Sequence, residues 1–316
     1  MKKYIFKRIL TMIPVFFITS IIIFSIIHLT PGDPARVILG DNAVESEVLA
    51  LQEKMGLNKP LPLQYVNWLT GIFKGNLGES LFIDQPMTEI IWTHMKPTVS
   101  LTIYALLIAA GMGITCGILA ARYKGGILDR IVTLISLCGI SVPNFIVALL
   151  LMLLLAFSVH LFPVAGYKPM SEGIGIHVWY LTLPALSLGF IHMALIMRMT
   201  RSSVLEVLNS DYIKMARAKG VSEFAIMTKH ALKNALLPII TVIGQTAVTL
   251  LAGAVVSEAI FNIPGIGQLV VTSIGRRDYM VIQAVVLVIA LINMFMMLIL
   301  DILYAAIDPR IRLDSR

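Results

Sequence analysis

Six stretches of this chain stay apolar for about 20 residues or more, at roughly 9–29, 98–121, 131–157, 178–198, 236–257 and 284–306. A bilayer core about 30 Å thick is crossed by about 20 helical residues. Backbone in hydrocarbon must satisfy its own N–H and C=O groups, so only helices and closed barrels span it. Barrel strands alternate apolar and polar residues, and these stretches do not alternate. The expected fold is therefore an all-α polytopic membrane protein with six transmembrane helices. Composition agrees: 58% of the residues are hydrophobic and 14% are charged, where a soluble domain carries about 25% charged residues. The start, MKKYIFKRIL and then an apolar run, resembles a signal peptide. The run is too long and no small-x-small site follows, so it is read as a retained first span.

Lys and Arg set the expected orientation. With the N-terminus cytoplasmic, the inner segments hold Lys2, Lys3, Lys7 and Arg8, then Arg122, Lys124 and Arg130, then the seven basic residues from Arg198 to Lys233, and finally Arg310, Arg312 and Arg316. That is most of the 25 basic residues, so both termini are expected inside. The net charge of +7 is then a membrane-orientation signal. It does not call for a nucleic-acid partner, and the partner surface it implies is anionic lipid.

Residues 30–97 form the first outer segment, too long for a bare loop. Pro31-Gly32-Asp33-Pro34 stops the first span. Ser46–Met55 reads as a short helix ended by Gly56, and a second starts at Pro62 with Leu63, Val66, Leu69 and Phe73 on one face. A third, near Met87–Met95, is expected to end before Pro97. Together they suggest a small helical extracytoplasmic segment. The remaining divisions are a cytoplasmic N-terminus with the first span at 1–29, a five-span core at 98–306 and a cytoplasmic tail at 307–316. Within the spans, Gly113 with Gly117, and Gly244, Ala247, Ala252 and Gly253, allow close helix approach. Pro14, Pro143 and Pro184 are expected to kink their helices. Cys116 and Cys138 lie in apolar runs and read as small core residues.

The exception to this apolar pattern is DYIKMARAKGVSEFAIMTKHALKNALLPII, Asp211–Ile240, within an inner loop placed at 199–235. Asp211–Lys219 suits a helix, with Gly220 as a left-handed cap and Arg217 and Lys219 complementing the helix dipole. Ser222 can cap a second helix running to about Asn234, with Val221 and Ile226 as a hydrophobic staple. Spacing alone leaves two readings open. One is a solvated or lipid-surface helix pair. The other is a docking element whose contact patch includes Val221, Phe224 and Met227.

ARAKG (Ala216–Gly220) followed by KHALKNALLP (Lys229–Pro238) resembles the coupling loop of ATP-binding-cassette importer permeases, in the dipeptide/oligopeptide/nickel branch. The general family pattern has Glu-Ala-Ala before the glycine; here Lys214, Met215 and Ala216 occupy that frame, and only the last alanine matches. Further similarity lies in PGDP (31–34), GLNKPLPLQY (56–65), GNLGES (75–80), SVPNF (141–145), NIPGIGQL (262–269), RDYMVIQ (277–283) and DPRIR (308–312).

The resemblance implies a permease subunit, not itself an enzyme, in a bacterial or archaeal plasma membrane. Its implied partners are a homologous second permease, two cytoplasmic ATPase subunits and an extracytoplasmic substrate-binding protein. Ala216, Ala218, Gly220, Val221, Ser222 and Phe224 would couple to the ATPase. No cofactor is implied in this chain, which has no G-x-x-x-x-G-K-[ST] loop; ATP and Mg would sit in the ATPase subunits. The implied cargo is a small peptide or a related solute, chelated nickel included.

Asn144, Gln245 and Glu258 are candidates for the substrate path, and Asn144 and Gln245 equally for interhelical hydrogen bonds. Asp301 near the inner end of the sixth span reads as a structural ion pair with Arg198 or Arg201, or else as an ion relay. The six histidines show no i, i+3 or i, i+4 pair, and no metal site is expected. The alternative from another class is an ion-gradient-driven secondary transporter, which would call for internal repeats and mid-membrane charge.

Overall fold

A computed structural model describes residues 2–29, 33–40, 43–78, 80 and 85–307. Most of the PGDP turn, Glu79 of GNLGES, the DPRIR motif and the tail from 308 onward lie outside the described residues. The regular structure of the described residues is helical, with no β-strand among them. In order the helices are α1 (Lys2–Leu29), α2 (Pro34–Leu39), α3 (Glu45–Met55), α4 (Leu61–Phe73), α5 (Met87–Arg122), α6 (Ile127–Ser141) and α7 (Asn144–Leu151). A π-helical turn, Met152–Ser158, extends α7. There follow α8 (Ile174–Leu208), α9 (Asp211–Ala218), α10 (Glu223–Ala225), α11 (Leu232–Phe261), α12 (Ile266–Arg276) and α13 (Tyr279–Ile307). Five helices are long and apolar enough to cross a membrane, and α6 with α7 makes a sixth candidate, bent by 112°.

The chain divides into two compact units, with boundaries inside α5, between α11 and α12, and inside α13. In the unit of residues 2–96 and 265–295, Asp33 caps α2 through the Ala35 N–H (3.0 Å) and accepts from Gln52 of α3 (2.7 Å). Gly56 ends α3 at φ +71°, a conformation easy for glycine. Tyr65 and Trp68 of α4 pack on Phe24 of α1 at ring separations of 5.4 and 5.8 Å. The face anticipated for α4 packs only in part: Leu63 and Val66 are exposed, Leu69 is half-buried, and the largely exposed Phe73 ring meets Phe16 of α1 at 6.0 Å. The aromatic pair Tyr65 and Trp68, with its larger contact area, turns toward α1 beside it. Helix α12 has no counterpart among the expected elements. It buries Ile266 and Leu269 against Met87, Ile90, Val281 and Val285. Asp278 starts α13, accepting from the Val281 N–H (3.3 Å) and from the Ser80 hydroxyl (2.8 Å).

The unit of residues 97–264 and 296 onward is built around α8, the most enclosed of the spans. Gly113 and Gly117 let α5 approach it closely. A Cβ on Gly117 would stand 2.7 Å from the Met197 carbonyl oxygen and 2.6 Å from Thr200 Cβ. Gly139 of α6 makes the same kind of approach, 2.7 Å from Ala194 Cβ.

Several expectations are corrected. Helix α5 does not end before Pro97 but runs through it; Pro184 likewise lies inside a continuous α8. A proline inside a span is tolerated when surrounding helices hold the chain in line. No separate helix ends near Asn234: Glu223–Phe261 is a single helical run of 39 residues through Pro238, with a π-helical turn at Ile226–Ala231. The third span is broken rather than kinked, because Val142 (φ −92°, ψ 122°) and Pro143 (φ −58°, ψ 142°) are both extended. Its ends lie beside opposite ends of α8. Asp129 is bonded to Arg201, while the Leu161 carbonyl just past the π-helical turn accepts from Trp179 Nε1 (3.0 Å). Those α8 positions are about 33 Å apart at 1.5 Å per residue, so the bent pair crosses and is not re-entrant. Of the cysteines, Cys116 is half-buried but Cys138 is exposed on the outer face of α6 rather than in the core.

Candidate functional site

The polar stretch folds by local rules. Asp211 sits in the first turn of α9 and Arg217 in the last. Beyond Lys219, Gly220 takes φ +79°. The Gly220 N–H bonds the Arg217 carbonyl (2.9 Å) and the Val221 N–H bonds the Ala216 carbonyl (3.1 Å). These are the two bonds of a Schellman cap. A Cβ at Gly220 would meet nothing within 4 Å, so its constraint is the backbone angle alone. Ser222 accepts from the Ala225 N–H at 3.4 Å and starts the next helix. Arg217 bridges the break, donating to both Glu223 oxygens at 2.7 and 3.2 Å. That bond and the neighbouring negative charge hold the Arg217 guanidinium above its ordinary pKa.

Ile213 and Ile226 anchor the two arms and are fully buried. Ala231 and Ala235 pack with Ala121 and Val204, and Met227 packs against the same cluster. Met227 and Val221 are half-buried, so of the expected patch of Val221, Phe224 and Met227 only Phe224 is fully exposed. The exposed apolar side chains are Phe224 (71%), Met215 (62%) and Tyr212. Ala218 and Ser222 are exposed beside them and Ala216 is half-buried. Asn234 Nδ2 donates to the Tyr212 hydroxyl (2.7 Å), tying α9 to the start of α11.

The chain matches the family described as "Binding-protein-dependent transport system inner membrane component" over residues 113–313, and the corresponding N-terminal family over residues 1–102. It belongs to that permease family. A probable peptide ABC transporter permease of Sinorhizobium fredii is 41% identical over 312 residues, covering 99% of this chain and 100% of the relative. The dipeptide transport system permease DppB of Alkalihalophilus pseudofirmus is 40% identical, covering 99% and 100%. The glutathione transport system permease GsiC of Pectobacterium atrosepticum is 41% identical, covering 99% of each chain. Among solved structures, the inward-facing MetNI methionine ABC transporter aligns at TM-score 0.58 and 20% identity, over 72% of this chain and 100% of that one. An amino acid ABC transporter aligns at TM-score 0.53 and 14% identity, over 69% and 94%. At those identities the structural likeness speaks for the fold.

The candidate path residues of the permease fall in different surroundings. Gln245 is exposed on α11. Asn144 is the first residue of α7 and donates through Nδ2 to Ser257 Oγ (3.2 Å), the interhelical alternative for this residue. Its Oδ1 is buried with no partner. Glu258 is fully buried and accepts from the Thr98 hydroxyl at 2.5 Å.

Asp129 escaped the sequence reading. It is buried at the start of α6, and its carboxylate accepts from Arg201 Nε (2.5 Å) and Nη2 (2.9 Å) and from the Gly125 N–H (2.8 Å). Arg201 therefore belongs to Asp129, not to Asp301 as one reading had it. The available signal was a lone acid among Arg122, Lys124 and Arg130 at the head of a span.

Proposed function

We propose that this permease forms half of the translocation pathway of an ATP-driven importer for small peptides, delivered by a binding protein. The relatives' names carry the substrate class: peptide, dipeptide and glutathione permeases, each about 40% identical over nearly the whole chain. In this reading the 211–235 segment faces the cytoplasm and docks an ATPase subunit. Both termini are cytoplasmic, and ATP and Mg reside in the two ATPase subunits. A second, homologous permease completes the pathway. Ala216, Ala218, Gly220, Val221, Ser222 and Phe224 form the coupling element, the first five by setting and flanking the break and Phe224 by contact. In this reading the exposed Gln245 faces the path.

The observation that carries this reading is the joint between α9 and the 39-residue helix Glu223–Phe261. A soluble motor gripping Phe224 and Met215 would push on the end of a membrane-crossing rod, with no flexible linker between. ATP binding then biases a two-state equilibrium, because the motor engages the segment differently in its two states.

Reconstitution with the candidate ATPase and binding-protein partners tests this. Vanadate-sensitive accumulation of a labelled di- or tripeptide is the expected outcome. Uphill accumulation by this chain alone in liposomes, driven by a proton or sodium gradient, would overturn it in favour of a secondary transporter.

A further inference from the structure

The bent third span is fastened to both helices that flank the coupling segment. Its first arm, α6, is bound to α8 by the bidentate Asp129–Arg201 pair and by the close Gly139–Ala194 approach. Its second arm begins at Asn144, which is bonded to Ser257 on α11. Helix α8 leads into the coupling segment and α11 leads out of it.

Between the arms lie only Val142 and Pro143, both extended. The Val142 N–H still bonds the Cys138 carbonyl (3.0 Å), and the Pro143 carbonyl accepts from the Ile146 (3.0 Å) and Val147 (3.3 Å) N–H groups. The ladder of each arm therefore ends at these residues, and the gap between them, with no proline N–H to bridge it, is closed by rotation about Val142 φ and ψ and Pro143 ψ alone. The second arm faces its neighbours with small or short side chains, buried Val147 and Ala148. Asn144 Oδ1, buried and unpartnered here, is an acceptor that a second arrangement can satisfy, which lowers the cost of leaving this one.

We propose that Val142–Pro143 is the hinge of a moving gate, opened and closed by displacement of α11 against α8, with Asn144 and Ser257 as the positioning residues that deliver that displacement. Asp129 and Arg201 hold the first arm still while the second swings. The proposal rests on the importer reading, because it needs the coupling segment to be driven.

The test uses the full assembly with its binding protein. Cys116 and Cys138 are replaced by serine, and spin labels are placed at the exposed positions Leu137 and Leu150 on the two arms. The distance between labels is expected to change by several ångström between the nucleotide-free and ATP–vanadate states. Ser257→Ala is expected to retain ATP hydrolysis but to lower peptide moved per ATP by roughly five- to tenfold. Its label distance should stop following nucleotide, and Ser257→Thr should restore both. An unchanged distance in an assembly that still imports peptide overturns the hinge alone, as does a Ser257→Ala variant with the parent's transport-to-hydrolysis ratio. No ATP-dependent import by the parent assembly overturns the importer reading and the hinge with it.

Discussion

Helix α8 and the third span are both apolar, both cross, and both carry an internal proline. Pro184 sits in a helix unbroken for 35 residues, whereas Pro143 sits at a 112° bend. The difference lies in the neighbours. Around Pro184, Leu181, Leu183, Ala185 and Leu188 are all buried, and α8 is enclosed on several sides. Around Pro143, Ile140, Phe145 and Ile146 are exposed, and the following arm finds its contacts by turning across α8 and α11. Proline removes a donor and disfavours helix at the residue before it. Packing decides whether the helix then continues.

That contrast can be broken most forcefully at the tie between the two segments. Asp129→Ala leaves Arg201 without its carboxylate. Arg201 keeps 30% side-chain exposure, so the expected loss is about 2–3 kcal/mol, at the lower edge for an orphaned charge. Thermal unfolding of the purified protein checks it, and Arg201→Ala should be similar. Next comes the enclosure of α8. Gly117→Ala forces a methyl onto Met197 and Thr200 and should cost about 2 kcal/mol. Gly111→Ala, on the same helix with nothing within 4 Å, should be neutral or stabilising by up to about 1 kcal/mol. Comparing the two melting curves separates close approach from glycine content.

The same contrast extends to the break at Gly220, where a side chain would meet nothing within 4 Å and backbone bonding must hold the shape. Gly220→Val should cost about 1–2 kcal/mol through φ alone and lower peptide import per ATP. Gly220→Asn should cost less, since asparagine tolerates the left-handed region. Normal import by the valine variant would count against a rigid joint. The smallest effect belongs to Pro143→Ala. If packing fixes the bend, it persists, the label distance between the arms is unchanged, and stability shifts by no more than about 1 kcal/mol.

How much of this was legible beforehand follows the same division. The spans were written in runs of apolar residues, and the break at Gly220 in a capping pattern that needs no tertiary partner. The third span's bend was visible only as a proline. Its size depends on what α7 finds to pack on. Continuation of α5 through Pro97 and of α10 through Pro238 was hidden for the converse reason, since local rules stop a helix there and neighbours override them. Helix α12 was missed because its 11 residues include Gly267 and Gly275 and are too short to span. The Asp129–Arg201 pair joins residues 72 apart in sequence, and no local pattern announces it. At the candidate site, the break at Gly220 and the cap at Ser222 were legible because their geometry is local. The half-buried state of Met227 was not, because the cluster that covers it comes from α5 and α8.

The π-helical turn at Ile226–Ala231 has a bearing on how the exposed Phe224 is aimed. A π turn accommodates one residue more than an α turn, and each α-helical residue advances the azimuth by about 100°. Phe224 therefore points about a quarter-turn away from where an uninterrupted helix built outward from Ile239 would place it. Deleting a single residue within 226–231 would let the turn relax to α-helix and swing Phe224 around the rod. The exposed face would keep its composition while its compass bearing changed.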